Sequence, residues 1–514
     1  MTRQGIMDTL SRRSLLVAGF GLLGSGALAA CSSPAPSLPA GVGAGTASAG
    51  AGQRLVDTAL TARPVTLDLG GSTVATWAYG DSLPGPLIRA TAGDRLRIRV
   101  ENRLPADTTV HWHGIALANG ADGVPGVTQD PIAAEATYTY DFTAPDPGTY
   151  FYHPHVGVQL DRGLYAPLII DDPQEPGAYD HEWILVLDDW VDGTGRTPDE
   201  VLAALTSSRD NGGMPGMDHG NMGGMEGMDM SSGSSEGMAG MDHGAISAGD
   251  SPYGDDAGDV SYPHYLVNGR VPADPEVLTA KPGQKVRLRI INAAADTIFT
   301  VALGGHRMTV THTDGFPVQP QDTDALYLGM GERYDATVTL AEGVFPFVAV
   351  PLGKDGQAMA LVRTGAGNPP PSSVRPAELD RSVLIGADLT PADSARLEAR
   401  DPDVSLDLAM TGQMNPYEWG FKGAPYGQHD PVQIQEGQRV RLTVANHTMM
   451  AHPLHLHGHT FALPNGLRKD TVLIAPMRSM AIDVQADNPG NWLIHCHNIY
   501  HAEAGMTTEL RYRP

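Results

Sequence analysis

A ten-residue segment occurs three times in this chain and constrains its fold more than any other feature. The copies are residues 93–102, 283–292 and 437–446, and each begins with glycine and ends with asparagine. Between these residues apolar and polar side chains alternate, which is the pattern of a β-strand with one buried face. Copies roughly 150 to 190 residues apart are too distant for a solenoid. The repeat therefore predicts duplicated β-sandwich domains in a chain of 514 residues, which is too long for one core.

Histidine pairs follow the repeated strand in the first and last copies. Nine residues beyond the asparagine lies His111 with His113 in the first copy, and His455 with His457 in the last. The same count in the middle copy reaches only apolar residues. Residues i and i+2 share a strand face, so each pair can chelate a metal from one side.

A second repeated strand carries two more pairs, His153 with His155 and His495 with His497. In each pair the histidines lie five and seven residues beyond a glycine, whereas the corresponding middle segment has none. The first and third domains together therefore supply eight imidazoles.

The last pair encloses Cys496, which has the spacing of a second metal site. His501 follows it by five residues and Met506 by ten. Thiolate, imidazole and thioether are three ligands of a His2Cys copper site with a weak axial methionine, and His452 supplies the missing imidazole. The pattern predicts that residues 495–497 continue a strand, on which the cysteine and its two histidine neighbours face opposite sides. The alternative is a structural cysteine between two hydrogen-bonded histidines.

The balance of charge bears on the partners of the chain. A net charge of −25 and a pI near 5.0 disfavour binding to nucleic acid or acidic lipid.

The two cysteines, Cys31 and Cys496, form no disulfide if one is processed and the other binds copper.

The N-terminus predicts export. Arg12 and Arg13 precede an apolar run, so residues 1–30 are predicted to be a twin-arginine lipoprotein signal. The run ends before Cys31 like a bacterial lipobox, in which the cysteine is acylated; a plain soluble export signal is the alternative. Residues 31–54, rich in Ala, Gly, Ser and Pro, are predicted to be a flexible tether. We expect a monomer anchored through Cys31 on the outer face of the cytoplasmic membrane.

Three domains are predicted after the tether, at residues 55–175, 176–370 and 371–514. The second carries a methionine-rich insert at 211–250, with two Met-Asp-His-Gly motifs around His219 and His243. Without an apolar period this insert cannot build a core and is expected to be a mobile loop. Its thioethers, imidazoles and carboxylates could capture Cu(I); the alternative is a linker in which methionine is incidental.

The four histidine segments resemble the signature of the multicopper oxidases, which reads His-x-His, His-x-His, His-x-x-His-x-His and His-Cys-His-x-x-x-His with an optional methionine. All ten histidines and the cysteine are present, and the resemblance extends from about residue 55 to the end of the chain. It implies an all-β fold of three cupredoxin-like Greek-key β-sandwich domains, with a type 1 copper in the third.

The resemblance also implies four copper ions, with ligands assigned by position. The type 1 copper would be held by His452, Cys496, His501 and Met506. The type 2 copper would be held by His111 and His455. The two type 3 coppers would be held by His113, His153 and His497, and by His155, His457 and His495. This cluster would lie between the first and third domains, and the middle domain would act as a spacer.

The reaction implied is one-electron oxidation of a donor at the type 1 site, electron transfer through Cys496, and reduction of dioxygen to water. Asp122 resembles the family acid beside the type 2 and type 3 coppers, although it could be an exposed turn residue. A second acid usually follows the last type 1 histidine directly, but that position is Ala502 and Glu503 comes one residue later.

The export signal, lipobox and methionine-rich insert resemble those of actinobacterial lipoproteins associated with copper resistance. Cu(I) is therefore the expected donor, with Fe(II) and phenols as further candidates. Met410, Met414, Met449 and Met450 resemble methionines that form a substrate copper site in metal-oxidising relatives, although each could instead fill a core. The alternatives are a laccase acting on phenols or aromatic amines, and a copper-buffering lipoprotein without turnover.

Overall fold

The computed structural model describes residues 53–175, 177–207, 251–254 and 258–513. The predicted signal, most of the tether and the methionine-rich insert with His219 and His243 lie outside the described residues. Within the described ranges, no helix is long and apolar enough to cross a membrane.

The first sandwich contains two four-stranded sheets. One has the strand order β2-β1-β4-β6, formed by β1 (Leu55–Asp68), β2 (Thr73–Tyr79), β4 (Arg95–Asn102) and β6 (Thr137–Thr143). The other has the order β3-β8-β7-β5, formed by β3 (Ile88–Thr91), β5 (His111–His113), β7 (Gly148–His153) and β8 (Ala166–Asp171).

The middle sandwich contains two six-stranded sheets. The first has the order β10-β9-β12-β17-β14-β15, formed by β9 (His181–Trp190), β10 (His264–Val267), β12 (Lys285–Asn292), β14 (Met308–Thr313), β15 (Phe316–Thr323) and β17 (Arg333–Thr339). The second has the order β11-β19-β18-β13-β16-β20, formed by β11 (Val277–Thr279), β13 (Phe299–Leu303), β16 (Ala325–Leu328), β18 (Val344–Pro351), β19 (Ala358–Arg363) and β20 (Val383–Leu384). Helix α1 (Pro198–Ser207) follows β9.

The third sandwich pairs a six-stranded with a five-stranded sheet. The first has the order β22-β21-β24-β29-β26-β27, formed by β21 (Val404–Met414), β22 (Tyr417–Phe421), β24 (Arg439–Asn446), β26 (Phe461–Ala462), β27 (Arg468–Lys469) and β29 (Ser479–Gln485). The second has the order β23-β31-β30-β25-β28, formed by β23 (Val432–Gln435), β25 (His452–Leu456), β28 (Thr471–Ile474), β30 (Asn491–Cys496) and β31 (Thr507–Arg513). Helix α2 (Ile499–Glu503) connects β30 to β31.

The repeated segment forms the same strand in all three sandwiches. Strands β4, β12 and β24 each pair in parallel with the first strand of their own sandwich and antiparallel with a later one. The equivalent pairing confirms the all-β fold of duplicated sandwiches.

The asparagine that ends each repeat fixes the loop after it. The side-chain amides of Asn102, Asn292 and Asn446 donate to two or more backbone carbonyls each, and their carbonyl oxygens accept from the backbone two residues later. All three side chains are buried. Buried amides need such partners, so this hydrogen bonding explains why asparagine recurs there.

The middle copy of the repeat differs from the expected half-buried strand. Strand β12 is buried on both faces, because its polar face packs against the first sandwich instead of meeting water. On that face Arg289 donates to Thr149 Oγ1 of β7 at 2.7 Å and to Asp335 at 3.1 Å. Paired charges therefore fill the part of this contact around Arg289, and Ile291 on the same face joins a buried apolar cluster with Phe151 of the first sandwich.

Candidate metal centres

The four histidine pairs lie on paired strands of the first and third sandwiches. His111 on β5 is opposite His153 at the end of β7, and His455 on β25 is opposite His495 on β30. This register brings each sandwich's two pairs together at one end of its sheet.

The two sandwiches then place these ends face to face. The rings of His113 and His455 stack with centroids 3.8 Å apart, and those of His111 and His457 also lie 3.8 Å apart. Seven of the eight imidazoles are buried and His155 is half-buried. The eight histidines expected to form one cluster are therefore brought together.

Within this cluster the ligating nitrogens form compact triads, with all atoms of a triad within 4.8 Å of one another. Two of the triads match the sets expected for the type 3 ions: His113 with His153 and His497, and His155 with His457 and His495. A third contains His111, His113 and His455.

The hydrogen bonds of these imidazoles fit a metal cluster. In four of the rings Nδ1 points outward and donates to a backbone carbonyl at 2.9 Å. These rings are those of His111, His153, His455 and His495. The opposite nitrogens of three of these, His111, His153 and His455, have no hydrogen-bond partner among the described residues. Buried nitrogens usually have partners, and outward hydrogen bonds of this kind orient metal-binding histidines.

Burial lowers the pKa of seven of these eight imidazoles and so favours the neutral form, which is the form that binds metal. Desolvation lowers the pKa of His495 to about 3 and lowers the pKa of His113, His153, His155, His457 and His497 well below the ordinary value. Neighbouring imidazoles reinforce the effect.

A second centre surrounds Cys496. Its Sγ lies 3.5 Å from His452 Nδ1 and 3.7 Å from His501 Nδ1, and the two nitrogens are 3.1 Å apart. All three side chains are fully buried, as is Met506, whose carbonyl accepts from the Cys496 backbone at 3.0 Å. A buried thiolate beside two imidazoles is a ligand set that fits a copper ion.

The segment joining the two centres is shorter as a strand than expected. Strand β30 ends at Cys496, and the His497 amide donates instead to the Pro453 carbonyl at 2.7 Å. The chain then turns because Asn498 caps helix α2, accepting from the amides of Tyr500 and His501. The cap places His501 beside Cys496.

Several residues beside Cys496's centre were not anticipated from the sequence. Asp259 Oδ2 lies 2.9 Å from His501 Nε2 and accepts from the Tyr417 hydroxyl at 2.7 Å. The Trp419 ring lies over His501, with centroids 4.0 Å apart. Asp259 is 242 residues from His501 in the chain, and no motif marks it.

Asp122 is buried beside the histidine cluster rather than exposed on a turn. Its Oδ2 accepts from His457 Nδ1 at 3.0 Å, and its backbone carbonyl accepts from His111 Nδ1 at 2.9 Å. One aspartate therefore contacts imidazoles of both the first and third sandwiches.

Glu503 lies at the end of helix α2, on the rim of a cavity of about 350 Å³ that His155 also lines. Its side chain is exposed, and partial desolvation there raises its pKa. Ala502 lines the same cavity.

The four candidate substrate methionines divide into two groups. Met410 and Met450 are buried, whereas Met414 is 42% exposed and Met449 74% exposed. Only the last two can meet a metal ion in solution.

Models of the multicopper oxidase family match residues 61–175, 181–367 and 399–514. The chain belongs to the multicopper oxidase family. These enzymes are copper-dependent oxidoreductases that use dioxygen as acceptor.

Relatives of this multicopper oxidase include multicopper oxidase MmcO of Mycobacterium tuberculosis, 47% identical over 98% of this chain and 96% of the relative. Copper resistance protein A of Escherichia coli is 29% identical over 88% of this chain and 92% of its own length. Laccase-5 of Trametes villosa is 27% identical over 85% of each. Among solved structures, the iron-import multicopper oxidase Fet3p has a TM-score of 0.73 at 21% identity, covering 90% of this chain and 91% of its own, and shares the fold.

Proposed function

We propose that this multicopper oxidase binds four copper ions, three in the histidine cluster and one at Cys496, and oxidises Cu(I) with dioxygen. The observation that carries the proposal is the set of buried histidine nitrogens in the cluster that have no hydrogen-bond partner within the described parts of the chain. The proposed ligands are those expected from the sequence: His452, Cys496, His501 and Met506 for type 1, His111 and His455 for type 2, and two triads for type 3.

The Cys496 site would hold a copper ion that supplies one-electron transfer from the donor, and the histidine cluster would hold copper that supplies four-electron reduction of dioxygen to water. The chain supplies the path between them, because Cys496 is covalently adjacent to His495 and His497. A second route runs from the Cys496 carbonyl to His495 Nδ1, 2.9 Å away. Because His495, Cys496 and His497 are consecutive, they hold the histidine cluster and the Cys496 site at a fixed separation.

We propose Asp122 as the residue that holds a proton beside the cluster. Its carboxylate accepts from Nδ1 of His457 and its backbone carbonyl from Nδ1 of His111, so Asp122 lies where it can pass protons to the proposed dioxygen site. Glu503 is the proposed entry point for protons, because it borders the cavity that leads to half-buried His155.

Cu(I) is proposed as the electron donor because of the side chains near the Cys496 site and because of the proteins to which this chain is similar. Exposed Met414 and Met449 offer soft thioethers, which suit Cu(I). The carboxylate of Asp259 on His501 adds a negative charge close to where the electron enters. Relatives named copper resistance protein A in Escherichia coli and Pseudomonas syringae support a role in copper resistance.

A phenol or aromatic amine is the second candidate donor. Trp419, which covers His501, lines a surface cavity of about 280 Å³ with Gly412 and Pro425. An aromatic ring in that cavity could stack on Trp419. Matches to several laccases accord with this alternative.

We further propose export by the twin-arginine route, a lipid anchor at Cys31 and a monomeric state. The paired arginines and the lipobox-like segment support the first two.

The decisive experiment combines a copper count with oxygen uptake on Cu(I). We expect about four copper ions per chain and Cu(I)-dependent oxygen uptake, and Cys496→Ser should lose its blue absorption and that uptake together. Copper binding without oxygen uptake would refute the oxidase activity and favour a copper-buffering protein.

Deletion of the methionine-rich insert, residues 211–250, distinguishes the two candidate donors. It should slow the oxidation of Cu(I), which the insert is expected to capture, and leave the oxidation of a phenol unchanged.

A further inference from the structure

The described residues of the middle sandwich contribute no imidazole to the histidine cluster, yet they contact it. Gly331, in the turn that precedes β17, has φ +83°, and a Cβ there would lie 2.9 Å from His113 Cε1 and 3.0 Å from His497 Cδ2. A residue larger than glycine would therefore press on two of the proposed type 3 ligands. The middle sandwich is in direct contact with the cluster and is more than a spacer.

Two residues further on, Arg333 forms a bidentate ion pair with the third sandwich. Its two terminal nitrogens donate to the two oxygens of Asp470, each at 2.6 Å. Its Nε donates to the Thr149 carbonyl of the first sandwich at 3.0 Å. Arg333 and Asp470 are both fully buried. One guanidinium of the middle sandwich therefore joins all three sandwiches.

Asp470 in turn contacts imidazoles from both sides of the cluster. Its Oδ1 lies 3.3 Å from His113 Nε2, and its backbone carbonyl accepts from His455 Nδ1 at 2.9 Å. The Thr471 hydroxyl donates to Asp470 Oδ1 at 2.8 Å and lies 3.1 Å from His113 Nε2 and 3.0 Å from His455 Nδ1. Asp470 and Thr471 thus hold the outward nitrogens of the two rings that stack at 3.8 Å.

A buried carboxylate stays in place only if its charge is paired. Arg333 forms two short, parallel hydrogen bonds with Asp470, a geometry that lysine cannot reproduce. Lys469 pairs instead with Asp314 and Glu332, at 3.1 and 3.2 Å. Asp470 therefore depends on Arg333 for its position.

We infer that Arg333 is a positioning residue for the histidine cluster, acting through Asp470 on His113 and His455. This inference rests on the proposed ligand set. It assigns to the middle sandwich the task of fixing the two imidazoles at the junction of the first and third sandwiches. Removal of such outer contacts typically lowers metal affinity by about 10- to 100-fold.

The test is copper binding by the full chain carrying Arg333→Lys, with Arg289→Lys as the matched control. Arg289 is also a buried arginine of the middle sandwich that contacts Thr149, but its carboxylate partners are Asp335 and Glu182 and it touches no cluster histidine. Copper per chain and the dissociation constant of the weakest-held ion are measured by titration of the metal-free proteins. The cysteine-to-copper absorption reports the other centre separately.

We expect Arg333→Lys to raise that dissociation constant by about 10- to 100-fold while the cysteine-to-copper absorption is kept, and Arg289→Lys to leave both unchanged. Equal copper affinities in the two variants would overturn the inference. A wild-type chain that binds no copper at its histidines would instead overturn the proposed function.

A second pair of variants decides the matter if Arg333→Lys does not fold. Gly331→Ala and Gly283→Ala place alanine at nearly the same φ, +83° and +82°, but only the first meets neighbouring atoms. We expect weaker copper binding in Gly331→Ala alone. Wild-type affinity in Gly331→Ala would refute a role of the middle sandwich in holding the cluster.

Discussion

His501 Nε2 lies 2.9 Å from Asp259 Oδ2, so a carboxylate of the middle sandwich is hydrogen-bonded to a proposed type 1 ligand of the third. Asp259 also accepts from Tyr417, and Trp419 lies over the same imidazole. An aspartate, a tyrosine and a tryptophan thus enclose the side of His501 away from Cys496.

Asp259→Asn should raise the reduction potential of the Cys496 centre. A nearby negative charge stabilises the oxidised ion, so its removal favours the reduced one, by on the order of tens of millivolts. A redox titration of the blue absorption measures the shift. Asp57→Asn, on the exposed surface of the first sandwich, is the control and should show no change. Equal potentials in all three proteins would contradict an electrostatic role for Asp259.

Asp122→Asn should slow reoxidation by dioxygen by about 100-fold or more, the usual range for loss of a proton-transfer group. Reduction of the Cys496 centre by the donor should stay unchanged, because the Asp122 carboxylate contacts His457 and His111 of the cluster. Stopped-flow measurement of the two half-reactions separates these effects. Equal slowing of both half-reactions would indicate general damage instead.

The stability of the metal-free protein should fall as the pH decreases below about 6.5. The pKa of His495 is about 3 in the folded chain against 6.5 for an ordinary histidine, so the unfolded state binds the extra proton throughout that interval. Each such histidine costs about 1.4 kcal/mol per pH unit. Thermal unfolding between pH 7 and 5 should show a shallower dependence in His495→Gln than in wild type. Parallel curves would contradict a neutral, buried His495.

Gly458→Ala should destabilise the third sandwich. The glycine has φ +62°, and a Cβ there would lie 2.1 Å from the buried ring of Trp492. Overpacking of this kind costs about 1–3 kcal/mol. Gly437→Ala has a similar positive φ, +84°, but open space around it, and should cost less. The measurement is the midpoint of thermal unfolding, and equal midpoints would show that the Trp492 ring yields without cost.

The structural features that could be predicted from the sequence are those that depend on residues close together in the chain. Strands β4, β12 and β24 and the four histidine pairs follow from periodicity and counting, because neighbours on a strand are close in the chain. The contacts that orient the ligands could not be predicted in this way. Asp259, Asp470 and Arg333 reach the centres from other strands or sandwiches, and Arg333 is 137 residues from its partner.

The buried polar face of β12 was missed for the same reason. Arg287 and Arg289 alternate with apolar residues as on a solvent-facing strand, and only the docking of the first sandwich makes them internal. A pattern within one strand carries no information about which neighbour covers it.

The pairing of imidazoles from opposite ends of the chain also sets an order for biogenesis. The Nε2 atoms of His155 and His495 lie 3.4 Å apart, although the two residues are 340 positions apart in the sequence. A ribosome-bound chain that has completed only its first sandwich carries half of the cluster, with no partner to close it. Copper insertion into the proposed histidine cluster would therefore follow complete synthesis and docking of the third sandwich.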